Sequence, residues 1–103
     1  MNDLESLLTD LDRLMCMASI QKEQLWCNPV CAKRVERSFS DLERVRQEVS
    51  RVPFLLGHGS TTKAASILRT AKKHRNRARN RLIRNDHEEE IYRLNMVKRI
   101  HDI

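Results

Sequence analysis

The sequence predicts an all-α protein: an antiparallel helical hairpin followed by a long basic third helix. Three observations carry this prediction. Apolar residues recur at spacings of three and four, which places them on single helix faces. Only two Gly and two Pro occur in 103 residues, so few turns can be placed. The apolar content is mostly Leu, Ile, Val, Met and Ala, with four aromatics (Trp26, Phe39, Phe54 and Tyr92), a mixture suited to helices packed along seams.

The first helix is expected at roughly residues 3–26. Asn2 and Glu5 stand three apart before the apolar run, in the pattern of a capping box. Leu4, Leu7, Leu8, Leu11, Leu14, Met15, Ala18 and Leu25 then form one stripe. Trp26 is expected to plug the open end of the hairpin. Asn28-Pro29 reads as an N-cap followed by proline where a helix prefers to begin. In the second helix Cys31, Val35, Ser38, Leu42, Val45, Val49 and Val52 alternate spacings of four and three, the 3.5-residue period of a coiled-coil seam. Pro53 is expected to end it. The connector is short, so the two helices should fold back on each other. A hairpin alone leaves apolar edge uncovered, and pairing two of them into a dimeric four-helix bundle would cover it.

Residues 53–61 read as a turn containing Gly57-His58-Gly59, with Ser60, Thr61 and Thr62 as capping candidates. The third helix is expected from about residue 62, with Ala64, Ala65, Ile67, Leu68 and Ala71 on its apolar side. Asn85-Asp86 is a candidate interruption, and Asp86 with Glu89 a second capping box. Ile91, Leu94, Val97 and Ile100 mark the final segment. The chain thus divides into a hairpin, 1–56, and a basic helical extension, 57–103, within one domain.

Charge is unevenly spread. The total is +6, but residues 1–26 carry five acids and two bases, whereas residues 63–84 carry nine bases and no acid. Such density is an electrostatic footprint for phosphates. The tract Lys72, Lys73, Arg75, Arg77, Arg79, Arg81 and Arg84 is the stronger binding candidate, because like-charge repulsion is tolerated on a helix that faces an anion. Arg37, Arg44 and Arg51 form a second candidate. They are seven apart on one face, about 10.5 Å per step, and Lys33 lies near the same row. Against this, Asp41, Glu43 and Glu48 are close enough to neutralise the row as an ordinary solvated face. For the tract, the competing readings are a nuclear-localisation signal, an acidic protein partner or a membrane surface, with DNA the alternative to RNA. Its interleaved Arg and Asn resemble a leucine-zipper basic region, but the acidic stretch from Asp86 to Glu90 does not.

Other chemistry finds little support. Cys27 and Cys31 have ligand spacing, but no second pair follows at zinc-finger distance, and Cys31 falls in the seam as a small hydrophobe. No cofactor or metal is expected. There is no Gly-rich phosphate loop, and Glu88, Glu89 and Glu90 point in different directions around a helix, so no enzymatic activity is expected. The acidic N-terminus lacks the apolar run of a signal peptide, no stretch approaches a membrane span, and three cysteines read as free thiols. A cytoplasmic location is expected, with a nuclear one as the alternative.

Three features of residues 1–56 resemble the RNA-silencing suppressors of insect nodaviruses: the N-terminal apolar helix, the Asn28-Pro29-Val30 connector and the seam ending in Val49-Ser50-Arg51-Val52. The resemblance implies a homodimer that forms an antiparallel four-helix bundle and lays one face along double-stranded RNA. It further implies reading of shape and phosphates rather than sequence, shielding the RNA from dicing and from loading into silencing complexes in a host cytoplasm. Arg44 and Arg51 would correspond to the family's basic residues near the end of helix two, and Lys33 to a further contact at its start. Sequence-independent binding of double-stranded RNA is therefore the leading expectation. A small structural subunit of a nuclear or cytoskeletal complex, or a basic-region DNA-binding protein, is the alternative.

Overall fold

In a computed structural model, residues 3–24 and 29–101 are described, and among them there is no strand. Four helices follow one another: α1 (Asp3–Gln24), α2 (Pro29–Ser50), a single short turn of helix α3 (Val52–Gly57), and α4 (Thr61–His101). α1 and α2 form the predicted antiparallel hairpin. α4 runs back beside both, parallel to α1 and antiparallel to α2. The expected Asn2 and Asn28 caps, and Leu25, Trp26 and Cys27, lie outside the described residues.

The α2 seam packs as its period predicts. Cys31, Val35, Ser38, Leu42, Val45, Val49 and Val52 are all buried. Cys31, Val35, Leu42, Val45 and Val49 meet Leu7, Leu11, Leu14 and Ala18 of α1 in one core, and Val52 packs with Leu55 and Ala64 in a second, smaller one. The third side of the larger core comes from α4, through Ala71, Ala78 and Leu82, with Leu68 packed against it. Ala64, Ala71 and Ala78 are seven apart and buried, and their small side chains let α4 approach the hairpin closely. α4 therefore covers the hairpin edge that had called for a second hairpin. Burial of that edge needs no second hairpin, because the chain supplies its own third helix.

Two further expectations are corrected. Residues 52–57 are helical rather than a simple turn, because proline is tolerated within the first turn of a helix, where its missing N–H costs nothing. Gly59, at φ 76°, then takes the left-handed conformation that reverses the chain, and the Ser60 carbonyl accepts the Ala64 N–H at 3.0 Å to open α4. Nor do Asn85 and Asp86 break α4. Asn85 is buried, and its side chain donates to the Cys31 carbonyl at 3.4 Å. Gln21 of α1 donates to the Leu82 carbonyl at 2.8 Å and to Asp86 Oδ1 at 3.0 Å. These bonds tie α1, α2 and α4 together in one polar layer, which fixes the register of α4 against the hairpin.

α4 has 41 residues and, at about 1.5 Å per residue, is roughly 60 Å long, against about 33 Å for each hairpin helix. The molecule is correspondingly a rod, 68 × 21 × 17 Å. Residues 90–101 carry no buried side chain, and they extend past the packed bundle.

Candidate nucleic-acid interface

The register of α4 on α2 decides where the basic residues go. Arg81 pairs with Asp41 at 3.1 Å, and Arg34 pairs with Glu88 further along. Around the first of these pairs the sequence is symmetrical. Arg37 and Arg44 stand four before and three after Asp41, and Arg77 and Arg84 stand four before and three after Arg81. On a helix both offsets fall on the same adjoining stripe, here the one turned away from the core. Since the helices run antiparallel, Arg37 lies at the level of Arg84 and Arg44 at the level of Arg77. Four exposed arginines thus surround one neutralised ion pair.

The scale follows from helix geometry. Successive arginines on each row are about 10.5 Å apart along the axis, and packed helix axes lie about 8–10 Å apart. Lys33 and Arg51 extend the α2 row at either end, and Lys73 extends the α4 row; all three are exposed. The two separate signals in the sequence, the spaced row and the dense tract, therefore meet on one face of the α2–α4 pair.

Acidic neighbours neutralise this face only in part. Asp41 also lies 3.7 Å from Arg44, and Arg84 donates to Glu88 Oε1 at 2.8 Å. The carboxyl of Glu88 is held below the usual carboxylate range by its hydrogen bond from Arg84 and then by that from Arg34. Among the described residues, Arg37, Arg51, Arg77, Lys33 and Lys73 have no acidic partner, and neither Glu43 nor Glu48 is paired.

The rest of the tract faces elsewhere. Arg75 turns to α1, 3.3 Å from Asp10, and is only 20 % exposed. Arg79 shares that side, lining a hollow with Asp10, Arg13, Met17 and Ile83, and donates to Asn76 at 3.3 Å. Lys72 is half-buried. Arg46, not singled out in the sequence, likewise bonds Asp12 of α1, which raises its pKa. The tract thus divides between an open face on α2–α4 and a paired flank on α1. The missed element is the Asp41–Arg81 pair at the centre of the open face. Its signal was present as the matching offsets of arginine about residues 41 and 81.

Of the cysteine pair with ligand spacing, Cys27 lies outside the described residues. Cys31 is fully buried beside Asn85 and Glu88, and burial, followed by the Glu88 charge, pushes its thiol pKa up. Among the described residues no three His, Cys, Asp or Glu side chains converge as metal ligands, and no helix is long and apolar enough to cross a membrane. Compared with protein-family models, with curated proteins and with solved structures, the chain matches none.

Proposed function

We propose that the α2–α4 face binds double-stranded RNA without sequence preference. The observation that carries this reading is the double row, Arg37 and Arg44 beside Arg77 and Arg84, on a flat helical surface with its central carboxylate already neutralised. Phosphates are met by such charges at little geometric cost, and each contact releases counterions. The A-form duplex offers a wide, shallow minor groove bordered by phosphates and 2′-hydroxyls, which a flat basic face can follow without entering a deep groove. Resemblance of residues 1–56 to the nodavirus suppressors supports RNA over DNA, and supports a role in shielding duplexes from dicing. The homodimer implied by that resemblance remains part of the proposal. Its contact must differ from simple pairing of bare hairpins, since α4 occupies the hairpin's third side.

The test is a gel-shift series on duplex RNA of mixed sequence. Arg37→Ala and Arg77→Ala should each weaken binding severalfold and lower the salt slope by about one. Arg46→Ala, on the flank paired to α1, should change affinity much less. Equal losses in all three would show diffuse attraction to net charge rather than this face. No loss in Arg37→Ala or Arg77→Ala would remove the face from the interaction.

A further inference from the structure

Among the described residues, the end of α4 contributes no side chain to either core cluster. Ile91, Tyr92, Leu94, Met96, Val97 and Ile100 are between 39 and 68 % exposed. Their spacing carries apolar surface around several sides of the helix, and a helix apolar on that many sides is normally buried. Only one face of each helix can meet in a pair, so Ile91, Leu94 and Val97 of the two ends, taken at on the order of 100 Å² of exposed side chain apiece, would remove roughly 600 Å², the size of a weak association.

We propose that this segment pairs antiparallel with the same segment of a second copy. The choice of occupant rests on charge. The segment begins acidic, with Glu90 exposed, and ends basic, with Lys98 and Arg99 exposed. A parallel pair would stack like charges at both ends. In an antiparallel pair centred on Leu94, Ile91 of one copy lies at the level of Val97 of the other, and Glu90 at the level of Lys98. Leu94 then meets Leu94 and Ile91 meets Val97, and opposite charges flank them. Neither Glu90 nor Lys98 has an ion-pair partner among the described residues, so both are available for the contact. The two bundles would project from opposite ends of the joint, each keeping its α2–α4 face uncovered. The pairing does not depend on RNA binding.

Sedimentation of the full-length chain, without RNA, tests it. The protein should sediment as a dimer at tens of micromolar. Leu94→Glu combined with Val97→Glu should weaken association by at least about a hundredfold, because charges would be buried unpaired. Circular dichroism should show the bundle of this variant still folded, since both positions lie outside the core. Glu90→Lys should weaken the dimer severalfold at low salt, and adding Lys98→Glu should restore it. A monomeric parent chain, or a dimer indifferent to the double glutamate variant, would overturn the proposal. Failure of Lys98→Glu to rescue Glu90→Lys would overturn the antiparallel arrangement.

Discussion

Leu42 and Glu88 show the two kinds of side chain that hold this bundle. Leu42 sits fully buried at the middle of the α2 seam. Leu42→Ala should cost about 2–5 kcal/mol, read from urea or thermal unfolding, because the surrounding helices relax only partly into the space. Glu88 works through charge, accepting from Arg84 on its own helix and from Arg34 across the α2–α4 interface. Its carboxyl is held below the usual range in the folded protein and returns to that range when the chain unfolds. Between those two values the unfolded chain binds more protons, so stability rises with pH. The contribution is complete above the ordinary carboxylate pKa and is lost as pH falls through the lowered one. Melting temperature followed from neutral to acid pH should therefore fall less steeply in Glu88→Gln than in the parent chain. Parallel curves would show that Glu88 adds nothing to the acid response.

The elements differ in how far the sequence exposes them. Every position of the α2 seam is apolar or small, so the 4–3 alternation from Cys31 to Val52 is visible directly, and all seven residues are buried. The seam of α4 has the same period but hides it. Ala64, Leu68, Ala71, Arg75, Ala78, Leu82, Asn85 and Glu89 alternate four and three, yet three of the eight are polar or charged. Partners meet each of those residues in part, although Asn85 Oδ1 and both Glu89 carboxylate oxygens are buried without a hydrogen bond among the described residues. Asp10 reaches Arg75, the Cys31 carbonyl accepts from Asn85, and Arg93 lies 3.3 Å from Glu89. Hydrophobic periodicity cannot register such positions, so Asn85-Asp86 reads as an interruption and the third side of the core goes unseen. The basic residues themselves were plain in the sequence. What the sequence did not reveal was which of them share a face, since that depends on the Arg81–Asp41 register between helices forty residues apart.

At the scale of the whole molecule, charge is sorted by helix. Five of the fourteen acids fall in the first 26 residues, and two of those on α1, Asp10 and Asp12, hold Arg75 and Arg46 on the flank away from the open face. What remains is a rod 68 Å long, with one basic side on α2–α4 and an apolar end on α4. A face of that kind should read the shape and phosphates of an A-form duplex and ignore base sequence. The direct measurement is binding of the purified chain to length-matched duplex RNA, duplex DNA and single strands across a salt titration. Duplex RNA should bind tightest, with affinity independent of sequence and falling steeply as salt rises. Equal binding to all the nucleic acids, binding insensitive to salt, or no binding at all would contradict the assignment of the α2–α4 face to double-stranded RNA.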